Sequence, residues 1–162
     1  MGETPAPERI RGMLSSLNGR FKPDLVVSIA RGGTPFGVAI ARALSVPHYS
    51  FRMKVQPKKS GIKGWLSHRE RRIIQPLVPS LDPGKRILLV DDNAHSGLSL
   101  KVAVMHLTEK GASPQNIQTM VYRSSTRAQP NFAVVRQNFL SSWLYRRKRK
   151  KQRQMEKKRG LK

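Results

Sequence analysis

The sequence has no cysteine, which excludes a disulfide framework and thiol chemistry. Its four histidines, His48, His68, His95 and His106, show no metal-ligand spacing. Aromatic residues make up only 6% of the chain. No apolar run approaches the length of a transmembrane helix, and the N-terminus lacks a secretory apolar core. Gly2 follows Met1, but Ala6 stands where a myristoylation signal needs Ser or Thr. These absences lead to the expectation of a soluble cytoplasmic protein with no membrane partner. A length of 162 residues is one domain's worth and can bury a core.

Acidic residues are the scarcest resource. Nine face 32 Lys and Arg, for a formal net charge of +23. The stretch 146–162 holds 11 of the basic residues and one acid, so the remainder still carries +13. Such a surface favours polyanions, chiefly RNA or DNA, through counterion release. Arg146, Arg147, Lys148, Arg149, Lys150 and Lys151 form an unbroken basic run. Runs of this kind repel themselves and are often disordered arms. A solvated end, a nuclear-type address and a nucleic-acid arm compete as readings, and the basic body favours the arm.

Two of the nine acids are adjacent. Asp91 and Asp92 follow Ile87–Val90, an apolar run suited to a strand buried on both faces of a parallel sheet. Asn93, Ala94, His95, Ser96 and Gly97 form a short loop, and Leu98 opens a helical pattern. In open α/β sheets ligands bind beyond the carboxyl ends of strands. Small and hydroxyl residues at a helix N-terminus suit an anion. The carboxylates repel phosphate, so they call for ribose hydroxyls or a metal. A plain strand-to-helix turn explains adjacent acids alone. Ser96, Gly97 and Ser99 at these spacings shift the balance to a site.

Earlier in the chain, Glu8–Leu17 reads as an amphipathic helix over the sheet, with Ile10, Met13, Leu14 and Leu17 at helical spacing. Leu25–Ala30 reads as the first strand, Arg31-Gly32-Gly33 as a turn, and Phe36–Leu44 as a helix. Paired glycines allow close backbone approach to a ligand, and Arg31 offers charge to a diphosphate. Pro47–Val55 reads as a second strand. Residues 56–84 are long, basic and aperiodic, which marks a functional or disordered loop. Ile73–Val78 reads as a short hood strand. Ser99–Lys110 reads as a helix stopped by Gly111, and Gln115–Tyr122 as a further strand.

The stretch 87–99 resembles the phosphoribosyl pyrophosphate (PRPP) signature of the type I phosphoribosyltransferases, with Ser96 and Ser99 in place of two threonines. Residues 22–46 resemble the pyrophosphate loop of the same family, closest to its xanthine-guanine and hypoxanthine branch, where the loop also reads Ala-Arg-Gly-Gly. The resemblance spans roughly Glu8–Tyr145 and implies a doubly wound, mainly parallel α/β sheet with a small C-terminal hood. It implies residues 1–20 as an N-terminal segment and 21–145 as the domain, with a flexible loop at about 56–84, a hood at about 131–145, and 146–162 as a tail. It implies PRPP binding by Arg31, Gly32, Gly33, Asp91, Asp92, Asn93, Ala94, His95, Ser96, Gly97 and Ser99. Asp91 and Asp92 would hold the ribose hydroxyls and meet Mg²⁺ mostly through PRPP. A mobile lid is expected within Lys58–Arg72.

Arg123 stands where the branch has a Lys that meets the 6-oxo group of a purine, and Asn131 where it has an Asp. Trp143 and Leu144 stand at its base-packing pair; a core plug is the competing reading. His95 replaces an Asp placed near the purine N7 proton, and a histidine can also move a proton. The expected function is transfer of the 5-phosphoribosyl group from PRPP to a purine, 6-oxopurines favoured, with release of pyrophosphate. His95 and Arg31 are its catalytic candidates, and a homodimer is expected. The alternative is a non-catalytic nucleotide-sensing or RNA- or DNA-binding protein on the same fold.

Overall fold

A computed structural model of the chain describes residues 5–17, 19–57, 69–75, 79–125 and 127–137. Helix α1 (Pro7–Leu17) precedes strand β1 (Leu25–Ala30), helix α2 (Gly33–Leu44) and strand β2 (His48–Pro57). Strand β3 (Arg69–Gln75), strand β4 (Ile87–Ala94) and helix α3 (Leu98–Glu109) follow. A 3-10 turn (Pro114–Asn116) then leads into β5 (Ile117–Ser125) and β6 (Phe132–Gln137).

The six strands form one sheet in the order β3-β2-β1-β4-β5-β6. Five are parallel, and β3 pairs antiparallel with β2 at one edge. This is a doubly wound α/β sheet, as the sequence predicts. From β1 the chain winds outward to β2 and β3, then returns to place β4 on the other side of β1. The crevice beyond the carboxyl ends of β1 and β4 is therefore a topological switch point.

Alternation along the strands fills both faces. Val26, Leu88, Val90 and Met120 bury against Met13 and Leu17 of α1 and Phe36 and Ile40 of α2. Val27, Ile29, Ile87, Leu89 and Val121 bury against Leu100, Ala103 and Leu107 of α3. Each full burial of this kind contributes about 1.5–3 kcal/mol. The fixed placement of β1 beside β4 is locked at its entry: Arg86 Nη2 and Nε donate to the Asp24 carboxylate at 2.8 and 3.1 Å. This side-chain pairing holds the Asp24 carboxyl at about 2, below its ordinary 3.8.

Three expectations need correction. Phe132–Gln137, expected in a hood, pairs parallel with β5 in the main sheet; Asn131 anchors it there, its Oδ1 accepting from the N–H and the hydroxyl of Thr119 at 2.8 and 2.9 Å. Ile73 to Gln75, expected as hood strand, belong to β3 and pair with β2. Asn93 and Ala94, expected in the loop, are still strand, paired with Arg123 and Ser124. Pairing with β5 carries the central strand on to Ala94 against the low strand propensity of Asn and Ala, before Ser96-Gly97 turns it.

Candidate functional site

The two motifs singled out in sequence meet at the switch point. After β1 the backbone turns through a cis Ala30–Arg31 peptide, and α2 starts at Gly33. A β-carbon on Gly32 would lie 2.5 Å from the Asp92 carboxylate. One on Gly33 would lie 2.7 Å from the Val90 carbonyl oxygen and 2.9 Å from Asp91 Cα. Only glycine permits this approach, so the paired glycines bring the Arg31 turn directly onto the acid pair.

Asp91 is 7% exposed, and its Oδ1 accepts the Asp92 N–H at 2.8 Å. That bond orients one carboxylate while Asp92, partly exposed, stays open to the crevice. Arg31, Asn93, His95 and Ser96 are exposed around them, and Ser99 is partly exposed. At the β4–α3 turn Ser96 Oγ accepts weakly from the Leu98 N–H at 3.4 Å. Gly97 is left-handed at φ 71° and begins α3 without a side-chain cap. The Ser125 hydroxyl donates to the His95 carbonyl and ties this loop to the end of β5. Helix α2 likewise starts without a side-chain cap. Two helix N-termini without side-chain caps from their N-cap residues thus begin at adjacent strand ends, which suits a ligand with separate anionic groups.

Arg123 sits in β5 beside Asn93, one strand over from the acids. Its guanidinium lies 5.6 Å from the Tyr122 ring centroid. Arg9 of α1 lies 5.3 Å from the same ring, and Tyr122 stacks on Phe36 of α2 at 5.8 Å. This cation–aromatic stack joins three elements beside the crevice. The sequence reading did not include Arg9, Tyr122 or Phe36, because no local spacing links them. It also passed over Thr34, whose Oγ1 is buried in the first turn of α2 without a hydrogen-bond partner. A hydroxyl next to a double glycine at a helix start was the available signal.

A cleft of about 600 Å³ opens beside Ser96 and Gly97 and runs along α3 past Lys101 and Met105 to Arg127 and Asn131. It borders the phosphate-type loop but is not lined by the acid pair. Among the described residues no three His, Asp or Glu side chains gather into a metal cage. Trp143, Leu144, the basic run Arg146–Lys151 and residues 58–68 of the expected lid lie outside the described residues. The lid's remaining residues, 69–72, are backbone of β3.

An acid pair at the switch point, two glycines beneath it and uncapped helix starts on either side make an arrangement suited to a phosphorylated, hydroxyl-bearing ligand. The chain belongs to the phosphoribosyl transferase domain family, whose match spans residues 5–147. Its fold resembles purine phosphoribosyltransferase from Pyrococcus horikoshii, with a TM-score of 0.67, 24% identity and 80% of each chain covered. A Neisseria gonorrhoeae protein with bound ppGpp gives a TM-score of 0.64 at 18% identity, over 81% of this chain and 77% of that one. The xanthine-guanine-hypoxanthine phosphoribosyltransferase of Helicobacter pylori gives 0.57 at 15% identity, over 87% and 89%. Comparison with curated protein sequences returns no match. Among the described residues no helix is long and apolar enough to cross a membrane.

Proposed function

We propose that the chain is a purine phosphoribosyltransferase with a preference for 6-oxopurines. The observation that carries this reading is the packing of Gly32 and Gly33 against Asp91 and Asp92. It sets a diphosphate-type turn and a ribose-type acid pair in one crevice. Asp91 and Asp92 accept from the ribose hydroxyls of PRPP. The backbone N–H groups of His95–Ser99 and the start of α3 hold its 5′-phosphate. Arg31 and the turn at Gly32-Gly33 face the diphosphate, where negative charge grows as the bond to C1′ breaks. A purine ring nitrogen takes that bond, and His95 receives or relays the proton that the nitrogen sheds. Arg123 offers a hydrogen-bond donor to the base; the family resemblance assigns Trp143 and Leu144, which lie outside the described residues, to pack on it.

Two adjacent carboxylates, with no further described His, Asp or Glu gathered beside them, fit Mg²⁺, which binds through one or two carboxylates plus substrate phosphates. Asp91 and Asp92 would meet it, and it would neutralise diphosphate charge. The deciding experiment is a PRPP-dependent assay of the full chain with adenine, guanine, hypoxanthine, xanthine, uracil and orotate. Nucleoside monophosphate and pyrophosphate should form fastest with a 6-oxopurine. Turnover confined to uracil or orotate, or absent with all six, rejects the reading.

The net charge of +23 favours a second property: nucleic-acid binding, with the run Arg146–Lys151 as one arm. It is compatible with transfer chemistry and becomes the chain's main role if no base is turned over.

A further inference from the structure

Helix α1 packs on β5 and β6, and Met13 and Met120 are fully buried in one apolar cluster there. Arg9 stands one helical turn before Met13. Tyr122 stands two residues after Met120, on the same face of β5. The packing that buries the two methionines therefore brings Arg9 to Tyr122, its guanidinium carbon 5.3 Å from the ring centroid. Gly12 lets α1 come this close, since a β-carbon there would lie 3.1 Å from Val134 of β6. Phe36, one turn into α2 from Gly33, stacks on the same ring at 5.8 Å and 20°.

Arg123 follows Tyr122 in the strand, so its side chain starts on the opposite face of the sheet. Its guanidinium carbon still lies 5.6 Å from the Tyr122 centroid, so the side chain bends back to the ring. A packed tyrosine needs neither arginine. The two guanidinium groups repel each other, and exposed Arg9 has open water available instead. The negative face of the ring attracts both and offsets that repulsion. The result is a fixed direction for a long side chain that otherwise samples many rotamers. Fixing it before a ligand arrives removes that ordering cost from binding.

We propose that Tyr122, backed by Phe36 and Arg9, is a positioning residue that aims the Arg123 guanidinium at the 6-oxo oxygen of the purine. It thereby sets the preference for 6-oxo over 6-amino bases. Guanidinium N–H groups only donate. A 6-oxo oxygen accepts from them, whereas a 6-amino group is itself a donor and leaves them unpaired. A site built around a fixed donor rejects an analogue that lacks the acceptor. Arg9 adds a second positive charge beside the same ring, which favours an oxygen over a donor nitrogen. The inference rests on the reading of Arg123 as the donor at the base end.

The test is steady-state kinetics of the full chain with hypoxanthine at saturating PRPP, with adenine as substrate or competing inhibitor and PRPP affinity measured by calorimetry. Tyr122→Leu keeps an apolar side chain and removes the ring. It should raise the KM for hypoxanthine about 10-fold, leave kcat and PRPP affinity unchanged, and weaken adenine not at all. Tyr122→Phe keeps the ring face and should restore the parental KM. Arg9→Gln, at an exposed position, should raise the hypoxanthine KM about 3-fold. In an Arg123→Met background Tyr122→Leu should add nothing, because the ring acts through the guanidinium. If Tyr122→Leu loses its circular-dichroism melt, Arg9→Gln with and without Arg123→Met decides. A ring that only packs would weaken PRPP and both bases together, and that outcome overturns the inference. An unchanged hypoxanthine KM in the folded variant, or an equal loss with and without Arg123, overturns it too. Each of these leaves the transferase reading standing. A parent that turns over no 6-oxopurine overturns both.

Discussion

Gly33 and Asp91 are remote in sequence and in contact in space, and this contact makes the crevice. An alanine at Gly33 would place its β-carbon 2.7 Å from the Val90 carbonyl, so the turn would have to lift away from the acids. On the proposed reading the acids serve the ligand more than the fold. Asp91 Oδ1 accepts one backbone N–H, a bond that an asparagine oxygen can keep. Asp91→Asn with Asp92→Asn should therefore leave the thermal melt intact while weakening PRPP binding at least about 100-fold. Two lost charge-assisted hydrogen bonds of about 1.5–3 kcal/mol each give that order. Isothermal titration calorimetry checks it, and unchanged affinity in a folded double variant removes the site assignment. Both motifs were legible in sequence because each is a short contiguous pattern after an apolar run. Arg9, Tyr122 and Phe36 were not, since they come together only through packing of α1 and α2 on β5.

Among elements, the strands flanking the switch point were the most readable. β1 was expected at Leu25–Ala30 and lies there, because both its faces are buried and its residues are branched. The edges were harder. β3 hides in an aperiodic basic stretch, as an edge strand need not alternate strictly. β6 follows β5 after Thr126–Asn131 with no intervening helix, so the expected βα rhythm gave no cue to its place in the sheet. The join between β1 and β2 has its own pH dependence. Buried Ser28 and half-buried His48 share a hydrogen bond at 2.9 Å, and partial burial lowers the His48 pKa below its ordinary 6.5. A histidine with a depressed folded pKa contributes stability that is full above the unfolded value and is lost as pH falls through the folded one. The melting temperature of the parent should thus drop between pH 8 and 5 more than that of His48→Gln. Circular-dichroism melts across this range measure it, and parallel curves would remove His48 from the acid response.

One sign of charge dominates the whole sequence, with 32 basic residues against nine acids. Its nine acids include the Asp91–Asp92 pair of the candidate site and Asp24, held by Arg86. Few acids are left to pair with 32 basic side chains, so self-repulsion opposes the compact state. Salt should relieve it. The screening length falls from about 30 Å at 0.01 M to about 3 Å at 1 M, well inside the dimensions of a domain this size. Raising KCl from about 20 mM to about 500 mM should therefore raise the melting temperature by at least about 4 °C. For a chain of this length about 1 kcal/mol corresponds to about 2–4 °C, so the rise reads as about 1–2 kcal/mol of relieved repulsion. Neutralising Arg146–Lys151 to Gln should shrink the salt effect, because part of the repelling charge is then gone. A melting temperature that stays flat or falls with salt would mean that local ion pairs, not net charge, dominate the electrostatics of this fold.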